Sequence, residues 1–202
     1  MIDVTYYVAT SVDGYIATTD GGVDWLTQFQ NRTEDHGFSE FYSKVDGLVM
    51  GSHTYEFSLR QPEWPAPDKP SWVLTHRDLP VAHSSVTLTS AEPSQLISSL
   101  TERGLKSLWL MGGGKAAASF QQCGLISHYF VAIMPIILGD GIPLFATVGR
   151  QNILKLIASK TSYGQIWCMP MKSSGDLVGL FDLFSVNKFH AFNHHCQVFE
   201  AA

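Results

Sequence analysis

The chain is 202 residues long, 45% hydrophobic and 15% charged, with a formal net charge of −5. The length suits one domain able to bury a sizeable core, and a negative balance with scattered basic residues argues against a nucleic-acid partner. The charged fraction is below the ~25% usual for soluble domains, which points to a covered surface, most simply a homodimer, and no apolar run reaches the length of a membrane span.

Val4 to Ala9 is β-branched and aromatic and predicts a strand, ended by the turn Ser11-Val12-Asp13-Gly14. Tyr15-Ile16-Ala17 reads as a short extended piece, after which Asp24 can cap a helical turn carrying Trp25 and Leu26. Phe38, Phe41, Tyr42 and Val45 recur at helical spacing, so Ser39 to Lys44 belongs to an amphipathic helix. A buried strand follows at Gly47 to Gly51, then a helix start at Ser52 to Glu56. Pro62, Pro65, Pro67 and Pro70 make the next stretch an irregular loop. Strands are predicted at Trp72 to Thr75 and Val86 to Leu88, and a helix over Ser94 to Thr101, opened by Pro93 and closed by Gly104. The Leu108 strand, a helix ending at Gly124, a strand from Tyr129 to Pro135, and a glycine-rich connection from Ile137 to Phe145 come next. Leu154 to Ser159 and Gln165 to Met169 are the last predicted strands. Strands alternating with helices and then succeeding one another favour an α/β fold: a mixed, mostly parallel sheet with helices on both faces and an antiparallel C-terminal end.

Two of these junctions carry chemistry. Leu108 to Met111 is an apolar strand that ends in Gly112-Gly113-Gly114 and turns into the helix-forming run Lys115 to Ala118. Glycines allow close backbone approach, and a helix start offers unpaired N–H groups, which together can hold a phosphate; a plain glycine turn is the alternative. Met50-Gly51-Ser52-His53-Thr54-Tyr55 repeats the pattern. There Ser52 and Thr54 either cap the helix or donate, with His53, to phosphate oxygens. Neither GxGxxG nor GxxxxGK[ST] occurs. A diphosphate held between two such turns on one sheet would be a dinucleotide site unlike the single Rossmann turn.

Four motifs in order, Ser11 to Ala17, Met50 to Glu56, Met111 to Gly114 and Ile137 to Phe145, resemble the dihydrofolate reductase-like superfamily. Within it the chain is similar to stand-alone relatives of the riboflavin-biosynthesis reductase domain. The resemblance covers residues 1–170, leaving 171–202 as a C-terminal extension of unassigned role, either an added element at a subunit contact or a poorly ordered tail. It implies a reductase that binds NADPH, with NADH left open, and transfers hydride to a small polar heterocycle, in the manner of 5-amino-6-(5-phosphoribosylamino)uracil reductase or dihydrofolate reductase. By this resemblance Ala9 and Ile16 lie against the nicotinamide and Gly51, Ser52, His53 and Thr54 hold phosphates. Leu74, Thr75 and His76 line the adenosine, with Arg77 in reach of a 2′-phosphate. Gly112, Gly113, Gly114, Lys115 and Ala116 pass beneath the diphosphate, and the glycine pair can be joined by a cis peptide. Ser52 stands where many relatives carry arginine, and Met111 where the riboflavin enzymes usually carry glutamate.

Asp13 is the candidate catalytic carboxylate, against a reading as a turn residue. Trp25 is the candidate substrate wall, against a core tryptophan, and Glu40 lies on the helix that would border the pocket, with a solvated helix face explaining it at least as well. His190, His194, His195 and Cys196 lack a completing ligand, so no metal is expected. The three cysteines, Cys123, Cys168 and Cys196, form no CxxC pair, and the start shows no signal-peptide pattern, so a cytoplasmic protein with reduced thiols is expected. The partner is a small-molecule substrate. A protein that binds the nucleotide but has lost catalysis is the second reading.

Overall fold

In the computed structural model, which describes residues 2–29, 35, 37–146, 151–162 and 165–173 (backbone alone from 160 onward), the first apolar run forms β1 (Asp3–Ser11). It sits inside an eight-stranded sheet rather than at an edge. Its neighbours are β6 (Ser107–Gly112) on one side and β7 (His128–Met134) on the other, both parallel to it. β3 (Gly47–Gly51) lies parallel to the far side of β6, followed outward by the parallel strands β4 (Ser71–Leu74) and β5 (Val86–Thr89). β10 (Gln165–Ser173) runs antiparallel to β7 and β9 (Leu154–Ser162) antiparallel to β10, so the sheet is parallel except at its C-terminal end. A second, two-stranded sheet pairs β2 (Tyr15–Ala17) with β8 (Ile142–Pro143), a strand inside the predicted glycine-rich connection.

Alternation along each strand divides the core. Val4, Tyr6, Val49, Trp72, Leu108 and Leu110 face one way and pack on α3 (Pro93–Glu102) and α4 (Gly114–Gln122) through residues such as Leu100 and Phe120. Leu48, Met50, Val73 and Trp109 face the other way, onto α1 (Phe38–Lys44) and α2 (Ser52–Ser58) through Phe41 and Tyr55. Strands flanked on both faces need apolar residues at every position, which is why Leu48-Val49-Met50 reads as an unbroken hydrophobic run.

Local signals account for the helix ends. Pro93 opens α3 inside a reciprocal Glu92–Gln95 capping box, and Gly104 at φ +87° ends it. α2 differs from expectation: its cap is Gly51 in extended conformation, and neither Ser52 nor Thr54 caps it through a side chain. Trp25 and Leu26 lie on a 3-10 helix, Asp24–Phe29. Of the predicted extension, Met171 to Ser173 belong to β10, and the remainder, with His190, His194, His195 and Cys196, lies outside the described residues. Among the described residues no helix is long and apolar enough to cross a membrane.

Asp46, between α1 and β3, fixes where β6 enters the sheet. Its Oδ2 accepts the Lys106 and Ser107 amides at 2.7 and 2.9 Å, and its own amide donates to the Ser107 carbonyl. The Lys106 amide first, then that of Ser107, holds its carboxyl below the usual range. A lowered folded pKa stabilises above the unfolded value and loses that effect as pH falls through the folded value. Asp46→Ala is expected to cost about 1 kcal/mol at neutral pH in urea denaturation, and the gap to the parent should close as the pH is taken below about 4.

Candidate functional site

The parallel strands β3 and β6 end side by side, and each turns directly into a helix. α2 leaves toward one face of the sheet and α4 toward the other. Connections that diverge from adjacent strands leave a crevice at the carboxyl edge, the place where open α/β sheets take ligands. Here the two turns touch. A methyl group built on Gly51 would stand 3.5 Å from the Ala116 Cβ and 3.9 Å from both the Gly112 carbonyl and the Gly113 amide. One built on Gly113 would stand 3.4 Å from the Thr54 hydroxyl. The Gly112–Gly113 peptide is cis, as the resemblance allows.

The reasons for these glycines differ. Gly112 has φ +124°, a conformation other residues adopt only with strain. A Cβ on Gly114 would meet the Pro143 carbonyl oxygen at 2.2 Å. Gly51, at φ −81° and ψ 163°, and Gly113, at φ −82° and ψ −168°, have ordinary backbones and room for a methyl. Neither dihedral nor packing calls for glycine there. Both side-chain-free positions face each other across the crevice, as close approach by a ligand would require.

The other two motifs converge on the same edge. The Leu144 amide donates to the Gly14 carbonyl at 2.8 Å, and the Ala146 amide to the Gly114 carbonyl at 3.1 Å. This threads the Ile137 to Phe145 segment between β2 and the start of α4. Asp13, the candidate catalytic carboxylate, clasps that segment: its two oxygens accept the Leu138 and Gly139 amides at 3.1 and 2.7 Å. The Ser11 side chain first, then those amides, holds its carboxyl below the usual range. An ionised carboxylate with both oxygens engaged is suited to holding a loop and poorly suited to giving up a proton.

The remaining predicted residues distribute along the edge. Leu74 pairs with Gly51, so Thr75, His76 and Arg77 follow beside the first turn. Arg77 is not free. Its Nη1 and Nη2 donate to the two Glu56 oxygens at 3.0 and 2.7 Å. Lys115 and Ala116 open α4. On β1, Ala9 shares a face with Tyr7, which stacks on Phe41 and Phe130 with centroids 4.7 and 4.6 Å apart. Burial, with Asp35 adding to it, pushes the Tyr7 phenol up to about 12. Met111 is half-buried on that same face. The buried indole N–H of Trp25 meets no acceptor among the described residues. Glu40 pairs with Lys44 on exposed helix surface, as its reading as a solvated face implies. Sequence reasoning missed Glu56: it sits one turn into α2 and meets Arg77 only because the ends of β3 and β4 are adjacent, although a carboxylate one turn beyond the glycine was visible.

An open cavity of about 340 Å³ lies on the opposite face at the end of β1, bounded by Thr10, Gly14, Tyr129, Leu144 and Phe145. None of the predicted binding residues lines it. Among the described residues no group of three or more His, Cys, Asp or Glu side chains is placed to hold a metal ion.

Comparison with known proteins bears on the family and the fold. The family model described as the RibD C-terminal domain matches residues 3–167. The uncharacterized protein YwjB of Bacillus subtilis (strain 168) is 32% identical over 160 residues, 79% of this chain and 91% of that protein. The riboflavin biosynthesis protein RibD of Mycobacterium tuberculosis (strain ATCC 25618 / H37Rv) is 26% identical over 164 residues, 74% of this chain and 47% of that protein. A crystal structure titled as a putative riboflavin biosynthesis protein from Shewanella sp. PV-4 superposes with a TM-score of 0.77 at 30% identity, covering 86% of this chain and 99% of the other.

The two kinds of glycine separate in a stability measurement. Gly51→Ala is expected to cost less than about 1 kcal/mol in urea denaturation, the scale of an altered helix cap. Gly114→Ala, which must displace backbone, should cost about 2 kcal/mol or more.

Proposed function

We propose, for a chain that belongs to the RibD C-terminal domain family, a reductase that binds a reduced pyridine dinucleotide, NADPH or NADH, in the β3–β6 crevice and reduces a small, planar, polar heterocycle. The observation that carries this reading is the facing pair Gly51 and Gly113, glycine at positions where the fold has room for a methyl group. The amides that follow each turn, with the Ser52 and Thr54 hydroxyls, supply donors for a diphosphate. Thr75 and His76 border the adenosine half; Ala9, Ile16 and the start of α4 border the nicotinamide half.

When bound, the dihydronicotinamide supplies a hydride, which a C=N or C=O carbon accepts while the adjoining heteroatom takes a proton from solvent. The protein's part is to hold the two rings in register. Asp13 keeps the Ile137 to Phe145 segment closed over the edge rather than acting as the acid. The stacked Tyr7, Phe41 and Phe130 give the Ala9 face a flat apolar flank suited to a planar ring. Met111 offers no charge or hydrogen-bond donor beside the glycines, which favours a substrate other than that of the riboflavin enzymes.

A homodimer belongs to the same reading, with a second copy of the chain along β9: Leu156 and Ile157 are half-exposed on this edge strand of the described sheet. Light scattering should return twice the chain mass, and a monomer at working concentration would remove this part.

Fluorescence titration with NADPH and NADH tests the cofactor site. Saturable binding is expected, weakened about tenfold or more by Gly51→Ala. If neither nucleotide binds, the reading fails. With binding in hand, loss of dihydronicotinamide absorbance over a panel of pteridines, pyrimidines and related imines tests catalysis. Binding without turnover on any of them would favour a nucleotide-binding protein that has lost its reaction.

A further inference from the structure

A diphosphate seated on the two glycine turns lays one nucleoside half toward the loop after β4, because Leu74 and Gly51 are paired neighbours. That loop carries Arg77, ion-paired with Glu56 of α2. The pair's geometry is fork on fork: Nη1 to one carboxylate oxygen at 3.0 Å, Nη2 to the other at 2.7 Å. The partners are 49% and 35% exposed, so the pair stands at the surface where a ligand can reach it. The Thr75 hydroxyl accepts the Arg77 amide at 2.9 Å and fixes the root of that side chain. Glu56 also feels His53 and Arg60, and the Arg77 guanidinium first among these holds its carboxyl below the usual range.

The two dinucleotides differ at one position. A 2′-phosphate carries nearly two negative charges and is best held by a guanidinium with its outer N–H groups free. A 2′-hydroxyl is a donor and is best held by a carboxylate. Here both outer nitrogens of Arg77 are committed to Glu56, and an approaching phosphate meets that carboxylate as well. Ser52, at the head of α2, adds a hydroxyl but no charge.

Resting on the reading of the crevice as a dinucleotide site, we propose that Glu56 sets cofactor preference. By holding Arg77 in a closed fork and presenting its carboxylate to the ribose, it makes the chain bind NADH at least as tightly as NADPH. Replacing the carboxylate by an amide releases the fork, keeps an acceptor for the hydroxyl and removes the repelling charge.

The test is a set of dissociation constants for NADH and NADPH with the full chain, Glu56→Gln, and Glu56→Gln combined with Arg77→Ala. Surface ion pairs contribute little to stability, so matching urea curves are expected for all three. The parent should bind NADH as tightly as NADPH or more so. Glu56→Gln should tighten NADPH about tenfold while NADH changes less than about threefold, and the gain should shrink with added salt. The added Arg77→Ala should abolish it. A parent that prefers NADPH by about tenfold, or a Glu56→Gln variant with an unchanged ratio, would overturn the proposal. Failure of the parent to bind either nucleotide is a different result, and would overturn the dinucleotide site itself.

Discussion

The pairing of β3 with β6 is the constraint on which the rest of this molecule depends. Two parallel strands with 60 intervening positions between Gly47 and its Leu108 partner are brought into register, and only that register sets Gly51 against Gly112 and Gly113. The helices that follow must then separate, since α2 has its apolar face toward Met50 and Val73 while α4 has its own toward Val49 and Leu110. The crevice is thus a product of hydrophobic patterning. Side chains far below the edge decide which way each helix goes, and the gap at the top is what remains.

Much of this was legible in the amino-acid order because the signals are local. Pro93 and Gly104 bracket α3, the apolar runs at Leu48 and Leu108 announce doubly covered strands, and the two strand–glycine–helix junctions announce each other by repetition. Other features had no local trace. Asp13 meets Leu138 and Gly139 across more than a hundred residues, so a turn motif could not reveal that its carboxylate is occupied. Arg77 looked available for a phosphate because its partner lies on a helix 21 positions earlier. The caps expected from Ser52 and Thr54 are absent because α2 already begins at Ser52, so the cap position falls on Gly51, which has no side chain.

A chain this poor in charge uses its charged groups locally and singly. Glu40 with Lys44 and Glu56 with Arg77 are discrete pairs, and Asp13 and Asp46 are each consumed by two backbone amides. Such carboxylates act as fasteners for main chain. They join segments the sheet alone would leave independent: β6 to the foot of β3, and the Ile137 to Phe145 segment to the end of β1. This economy makes a free charge at the carboxyl edge scarce, so the few groups there carry unusual weight in deciding which ligand is accepted.

The position of β1 has a consequence for how the protein is made. This strand takes its partners, β6 and β7, from residues more than a hundred positions later. On the ribosome its apolar side chains wait without a ladder until those later residues have emerged, which delays assembly and lengthens exposure to aggregation. A fragment ending before Ser107 therefore has no native neighbour for its own leading strand, and dividing this protein there would yield two halves unable to fold apart.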